Sequence, residues 1–193
     1  MKTLLKIAIC LLGIVSYGQE GVEVPLSTFG NVPNGTYIKD IDNVYLPYIG
    51  VWKGTTTDNK EFTLELVKFT KRKNIYPNGD YNYEDELMGK YQLKDLTTGT
   101  ILFSTINISN YGDYRIYAVG SPNNGKFELM FTDITCFNSL MLFLGNIVGS
   151  PNQLRYTSMY DEWISYRNCP YSNQGDIPLP LPKPNEVVYL TKQ

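Results

Sequence analysis

The sequence contains no histidine, and this absence removes several classes of function at once. Ser-His-Asp and Cys-His catalysis and histidine metal cages all depend on that side chain, which also transfers protons best near neutral pH. The sequence also lacks a Gly-rich phosphate loop and a Ser-x-x-Lys motif. We therefore predict a protein that is not an enzyme, with no catalytic residue, no metal site and no cofactor.

Charge is sparse as well, since only 19% of the 193 residues are charged and the formal net charge is −2. Binding to nucleic acid or to anionic lipid requires a concentrated basic face. A chain with a slight acidic excess does not provide one, so we expect no nucleic-acid partner.

Long apolar runs are scarce, and the most pronounced one lies at the start of the chain. Residues 1–18 combine two early lysines, a short apolar core over 7–15 and small residues before Gln19. This pattern predicts a signal peptide cleaved before Gln19 and an exported protein, either periplasmic or extracellular. A membrane anchor is the alternative, but a spanning helix needs about 20 apolar residues. A lipoprotein modified at Cys10 is a second alternative.

Cleavage leaves a chain with no further apolar stretch long enough to span a membrane as a helix, and with two of the three cysteines. In an oxidising compartment Cys136 and Cys169 would form one disulfide, which loop entropy makes worth about 3 to 4 kcal/mol. Two buried free thiols are the alternative. Zinc is not expected, because two thiolates have no histidine or further cysteine to complete a site.

Helical periodicity is missing too, and short runs of alternating apolar residues between Gly, Asn, Asp and Pro turns predict antiparallel strands instead. The predicted strands cover residues 48–55, 61–70, 86–94, 100–107, 114–119, 126–133, 140–146, 154–160 and 186–191. Periodicity alone leaves 140–144 open between a buried strand and one helical turn. The order of strands favours an all-β antiparallel meander closed into a barrel of about eight to nine strands. A β-sandwich is the alternative.

The predicted domain plan has three parts: a signal peptide over 1–18, an N-terminal extension over 19–44 that packs on the barrel, and one barrel domain over 45–193. The Pro-rich run 177–184 cannot continue a helix or a central strand, so it predicts a stiff strap before the last strand. A spacer is the plain interpretation of this strap, and a ligand for a proline-binding partner is the other.

Apolar and aromatic residues on one face of the predicted strands should line the barrel interior. An eight-stranded barrel can hold one small apolar ligand there or be filled by side chains. The residues predicted to line it are Phe62, Leu64, Leu66, Tyr91, Phe103, Phe127, Leu129 and Phe131.

The first predicted strand carries a Gly-x-Trp motif at Gly50 and Trp52. The motif and the order of elements after it resemble the lipocalin and fatty-acid-binding superfamily. That resemblance implies a lipocalin-like barrel in which Trp52 plugs the closed end. The sequence departs from the superfamily in two ways: a Pro-rich strap replaces the long late helix, and Lys192 is the nearest cation where an arginine usually stacks on the tryptophan.

A closer resemblance covers nearly the whole of the predicted mature chain. It rests on Val-Pro-Asn-Gly-Thr-Tyr-Ile-Lys-Asp at 32–40, Pro-Tyr-Ile-Gly-Val-Trp-Lys-Gly at 47–54, Asp-Glu-Leu-Met-Gly-Lys-Tyr at 85–91, and the closing segments 177–180 and 190–192. These segments resemble domain of unknown function family 6705, small secreted proteins found mainly in Bacteroidetes-type bacteria. The resemblance implies a compartment and a shape, and no activity.

Acidic residues cluster at 84–86 and at 161–162. Adjacent strand residues point to opposite faces, so neither cluster is expected to supply the paired carboxylates that hydrolyse glycosides. We expect solvated carboxylates there. Asp40, Asp42 and Asn43 offer oxygen ligands for calcium, but the bidentate Glu of a binding loop is missing.

Tyrosine is the unusual component, with 16 residues. Tyr76, Tyr81 and Tyr83 fall in the predicted loop 74–84, and Tyr111 lies near the next strand. Such rings can stack on sugars or contact a partner, although they can also simply cover strand ends. The basic run 68–73 predicts an exposed hairpin end whose charges favour solubility.

Two functions follow from these residues. The first is a lipocalin-like binder of a small apolar ligand inside the barrel. The second is a surface interaction protein that binds a glycan or an exported protein through its Tyr-rich loops. The sequence does not determine the oligomeric state.

Overall fold

A computed structural model describes residues 21–28, 30–120, 126–132, 139–160 and 179–193. Within them the only helical element is a 3-10 turn at Tyr111–Asp113, and no helix of this part of the chain has the length and apolarity to cross a membrane. The strands are β1 (Glu23–Pro25), β2 (Tyr37–Lys39), β3 (Gly50–Thr55), β4 (Lys60–Ile75), β5 (Tyr81–Asp95), β6 (Ile101–Ser104), β7 (Ile116–Ala118), β8 (Lys126–Thr132), β9 (Ser139–Ile147), β10 (Ser150–Tyr160) and β11 (Val188–Lys192).

Eight strands form a closed antiparallel barrel in the order β3-β4-β5-β7-β8-β9-β10-β11. The ring closes where β11 pairs with β3, with Thr191 opposite Lys53 and Lys192 opposite Trp52. Every step between neighbours in the ring is antiparallel. The predicted meander barrel is therefore confirmed, and the β-sandwich alternative is wrong.

Three strands lie outside the ring. β6, which was expected among the barrel strands, pairs only with β5. β1 and β2 were not predicted, because each has three residues and pairs in parallel, β1 with β2 and β2 with β5. Strands this short carry too little alternation to be recognised from the sequence.

Alternation decides which face each barrel strand buries. On β8 the side chains of Phe127, Leu129 and Phe131 are buried, while their neighbours are exposed or half-buried. On β9 the buried side chains are Leu140, Leu142 and Leu144, which resolves 140–144 as a strand. The period of two places every second residue in the interior, so apolar residues at that spacing build the barrel.

Aromatic side chains pack against one another through the barrel interior. Ring centroids lie 5.0 Å apart for Phe62 and Tyr156 and 4.7 Å apart for Tyr48 and Phe127. Each of these four side chains is at most 2% exposed. Ring pairs at such distances add to the free energy gained by burying the apolar surface.

Segments outside the strands complete this core. Tyr45 and Tyr48, which precede β3, belong to the buried cluster, as does Leu181 of the Pro-rich strap. Pro180 and Pro182 are buried beside Leu181, so the described part of the strap packs on the barrel. The beginning of the predicted strap, 177–178, lies outside the described residues.

β3 and β11 approach each other closely at Gly54, which has no room for a side chain. A Cβ atom at this position would meet the backbone carbonyl of Tyr189 and lie 2.8 Å from Cγ1 of Val188. We expect Gly54→Ala to lower the free energy of unfolding by about 1 to 3 kcal/mol through overpacking, measured by chemical denaturation. Gly112→Ala is the control, because nothing lies within 4 Å of a Cβ there. Equal stability of the two variants would contradict the close approach of β3 and β11.

Candidate functional site

A cleft opens in the barrel wall along one edge of β5. The first part of this edge pairs with β2, through Tyr83 and Glu84, and a later part pairs with β7, through Met88 and Gly89. Residues 85–87 lie between these two ladders. Because β2 ends before β7 begins, the wall is interrupted there, and we call the opening the edge cleft.

The edge cleft has a volume of about 350 Å³, which is within the range of small-molecule sites. Its walls combine two carboxylates, three tyrosine rings and an apolar floor. The lining residues are Tyr45, Glu84, Glu86, Leu87, Met88, Tyr111, Tyr117, Ala118 and Gly120. Leu87 and Tyr45 also belong to the core cluster, so the cleft extends from the surface to the core.

Glu86 is held by several neighbours at the mouth of the cleft. The hydroxyl of Tyr111 donates a hydrogen bond to Oε2 of Glu86 at 2.6 Å, and Nε of Arg72 lies 3.7 Å from the same oxygen. The guanidinium of Arg72 also stacks on the Tyr111 ring, with Cζ 3.2 Å from the centroid. These contacts fix the ring of Tyr111 and the carboxylate of Glu86 in one orientation.

Glu84 has fewer partners, and its environment disfavours its charged form. The amide of Asn74 donates to Glu84 at 3.4 Å and to Glu86 at 3.3 Å, so one side chain links the two carboxylates. Burial, followed by the nearby charges of Glu86 and Asp85, raises the pKa of Glu84. Glu84 therefore keeps its proton at higher pH than an exposed glutamate.

The tyrosines respond to the same environment. Burial and the hydrogen bond to Glu86 raise the pKa of Tyr111 to about 12. Burial, followed by the charge of Glu84, raises the pKa of Tyr45 above its ordinary value. Both phenols remain protonated at neutral pH, so the cleft presents hydroxyl groups, carboxylate oxygens and ring faces to a ligand.

Comparison with known proteins places the chain in a family. The sequence profile of a family of unknown function, DUF6705, matches residues 1–119. The chain belongs to DUF6705. No curated protein and no solved structure matches it. The profile includes β1 to β7 and the edge cleft up to Ala118, whereas the closing segments that contributed to the family resemblance lie beyond the matched residues.

In this DUF6705 protein all but one of the eight residues predicted to line the barrel interior are buried in the core. Seven of them are buried, whereas Phe103 is half-buried because β6 lies outside the ring. The seven buried residues are Phe62, Leu64, Leu66, Tyr91, Phe127, Leu129 and Phe131. Their burial establishes a place in the core, and their role in binding an apolar ligand stays a prediction.

The Gly-x-Trp residues lie at the closure of the ring. Trp52 is fully buried, its Nε1 donates to the carbonyl of Tyr48 at 2.7 Å, and Nζ of Lys192 lies 5.2 Å from its ring centroid. Gly50 has a φ of 127°, and a Cβ there would lie 3.0 Å from Cε of Lys192. A lipocalin-type plug role for Trp52 stays a prediction.

The predicted loop over 74–84 is wrong for most of its length. β4 and β5 form a long hairpin whose turn occupies only 76–80, so Tyr81 and Tyr83 are strand residues and Tyr76 is in the turn. Nζ of Lys73 lies 4.2 Å from the Tyr81 ring centroid, and Nζ of Lys71 lies 5.6 Å from that of Tyr83. Asn, Gly and Pro near the turn favoured a loop, but pairing between the two strands continues beyond the barrel.

A buried ion network also differs from the sequence-based interpretation. Nζ of Lys68 lies 2.9 Å from Asp40 and 3.1 Å from Asp85, and both aspartates are almost completely buried. Asp85 was expected to be solvated and Lys68 to belong to a hairpin end, but both are paired strand residues. A cation of the chain thus occupies the position between the two carboxylates.

A β-bulge makes this network possible. The pairing of β4 with β5 shifts between Phe69 and Arg72, and Lys71 takes a φ of 53°. This backbone conformation lets the N–H of Lys71 donate a hydrogen bond to Oδ1 of Asp85 at 3.0 Å. The hydroxyl of Tyr37 donates to the same oxygen at 2.5 Å. Through Asp85 the bulge therefore links Tyr37 of β2 to the hairpin.

Sequence reasoning missed the pair Glu84 and Glu86. The sequence-based argument considered only adjacent acidic residues, which point to opposite faces of a strand. Glu84 and Glu86 are two residues apart and therefore share one face. That spacing was the available signal, but the gap between β2 and β7 that turns the face into a cleft depends on strand pairing.

Several predictions fall on other parts of the chain. The signal peptide, Cys136 and Cys169, and the acidic pair 161–162 lie outside the described residues. Within the described ranges no group of three or more potential metal ligands is present.

Proposed function

We propose that this DUF6705 protein is a binding protein that holds a neutral glycan in the edge cleft, with the barrel as its support. The observation that carries the proposal is the pairing of two carboxylates, Glu84 and Glu86, with tyrosine rings around an apolar floor. Carboxylate and phenol oxygens accept hydrogen bonds from sugar hydroxyls, and rings contact the C–H faces of sugars. Two acidic side chains repel an acidic glycan, so a neutral one fits best.

The packing of the interior supports surface binding over an apolar ligand inside the barrel. Besides the other ring pairs, the centroids of Tyr91 and Phe131 lie 5.7 Å apart in the interior. Tyr45 and Tyr48 join the same cluster, and both rings contact Phe127. Side chains of this size fill an eight-stranded barrel, which leaves the cleft as the better ligand site.

Binding without catalysis is proposed for the two glutamates. A glycosidase divides its carboxyl groups between a proton donor and a group that attacks the sugar or activates water. In the cleft the amide of Asn74 donates to both Glu84 and Glu86, and Tyr111 also donates to Glu86, so we assign both carboxyl groups the same role as fixed acceptors. The early signal pattern supports binding after export, where glycans of the cell surface or the surroundings are accessible.

The test is binding of the labelled mature chain to immobilised neutral oligosaccharides, with uronic-acid and sulfated oligosaccharides as acidic counterparts. We expect retention on neutral glycans, and we expect Glu84→Gln to weaken it by about tenfold, the effect of losing one charge-assisted hydrogen bond. Glu65→Gln is the matched control, since Glu65 lies on β4 and contacts Lys90 away from the cleft.

Two results would overturn the proposal. Retention that is equal for Glu84→Gln and the unchanged chain would place the glycan elsewhere. Release of reducing sugar from a bound oligosaccharide would show catalysis, and therefore a different role for the two glutamates.

A further inference from the structure

Gly145 is the seventh of the nine residues of β9, at a position where no close contact requires a glycine. A Cβ at this position would meet only the carbonyl oxygen of Arg155 at 3.8 Å and its Cβ at 3.9 Å, which are ordinary contacts. Gly89, by contrast, has Ile116 Cγ2 at 2.8 Å from such a Cβ. Glycine weakens a strand, and one without a steric reason often marks a place where something else approaches the backbone.

Two cations flank Gly145 on the outer face of the barrel. In the register of the sheet Gly145 lies opposite Lys126 on β8 and opposite Arg155 on β10. One strand separates the two cations, so their backbones are about 10 Å apart. Neither makes an ion pair with a carboxylate of the described chain, although Glu128 lies two residues from Lys126 on β8.

Apolar side chains surround the gap. Tyr189, opposite Arg155 on β11, is 64% exposed, and Val148 is fully exposed at the end of β9. Phe143 and Ile147 lie on either side of Gly145 along β9, on the same face. Together these residues border a depression of about 750 Å³, which we call the Gly145 saddle.

We propose that the Gly145 saddle binds a small carboxylate that carries a flat apolar ring. Lys126 and Arg155 attract the carboxylate from both sides, and the guanidinium can bind it with two hydrogen bonds. The ring lies over Gly145, where a side chain would exclude it, and contacts Phe143 and Tyr189. The two cations favour an anionic ligand over a neutral one, and the exposed aromatic rings favour a ligand with a flat apolar ring.

This site is independent of the glycan proposal. β10 is four strands away from β5 in both directions around the eight-stranded ring. The saddle is centred on β9, three strands from β5, and shares no residue with the edge cleft.

The experiment titrates the mature chain with naphthoate, and with naphthalenemethanol as its neutral counterpart, by calorimetry and by amide chemical shifts. We expect naphthoate to bind with shift changes centred on β9 and β10. We expect Gly145→Val and Arg155→Gln each to weaken it by about tenfold, and naphthalenemethanol to bind about tenfold more weakly than naphthoate. Valine suits a strand, so Gly145→Val should keep the amide spectrum of a folded chain.

Matched controls separate the saddle from general effects. Gly112→Val adds the same side chain at a glycine with open space around it, and Lys94→Gln removes one cation from β5. Both should leave naphthoate affinity unchanged, as should Glu84→Gln in the edge cleft. If Gly145→Val does not fold, Lys126→Gln replaces it, because Lys126 is exposed on β8.

Four results would overturn this inference: no naphthoate binding, equal binding of the neutral counterpart, shift changes away from β9 and β10, or unchanged affinity in the saddle variants. Self-association that Gly145→Val abolishes would also overturn it, by assigning the saddle to a second copy of the chain.

Discussion

Replacing Trp52 with alanine should lower the free energy of unfolding by about 3 to 5 kcal/mol, the cost of a large cavity in a packed core. Trp52 is fully buried where β3 meets β11, the pair that closes the ring. The substitution also removes the hydrogen bond from Nε1 to the carbonyl of Tyr48. Chemical denaturation of the mature chain gives the measurement.

Tyr189→Ala is the control for Trp52→Ala, because Tyr189 is a large aromatic residue on the adjoining strand and is 64% exposed. Its removal should change stability by no more than about 0.5 kcal/mol. A loss below about 1 kcal/mol for Trp52→Ala would mean that the indole does not fill the space it occupies here.

Asp85→Ala should also lower the free energy of unfolding by about 3 to 5 kcal/mol, because three donors lose their buried acceptor and Lys68 keeps only Asp40 as an ion-pair partner. The Asp85 side chain is 3% exposed and lies 3.1 Å from Nζ of Lys68. It also accepts hydrogen bonds from Tyr37 and from the N–H groups of Lys71 and Asp40. Asp42→Ala is the control, since Asp42 is exposed near Asp40. Equal losses in the two variants would contradict a structural role for the network.

The same carboxylate makes stability depend on pH. Burial alone would raise the pKa of Asp85, but hydrogen bonds from Tyr37, Lys71, Asp40 and Lys68 lower it below its ordinary value. Its stabilisation is therefore complete above the unfolded pKa of about 4 and is lost as pH falls below that value. Unfolding curves from about pH 6 to about pH 3 should lose less stability in Asp85→Ala than in the unchanged chain. Parallel curves would contradict this.

Alternation of apolar residues determined much of this protein before any contact was known. The period of two in Phe127, Leu129 and Phe131 depends on local backbone geometry, so it marks a strand and its buried face without reference to the partner strand. Repetition of such runs between turn residues was enough to predict the antiparallel barrel. The burial of Trp52 agrees with its place in the first barrel strand.

Tertiary pairing decided the sites, because contacts between distant residues depend on register and strand length. Asp40 and Asp85 are 45 positions apart, and only the pairing of β2 with β5 brings them to Lys68. The edge cleft exists because β2 ends before β7 begins, and the Gly145 saddle exists because three strands align Lys126, Gly145 and Arg155. Local periodicity specifies the face of each residue, whereas its neighbours across the sheet are set by the closure of the whole barrel.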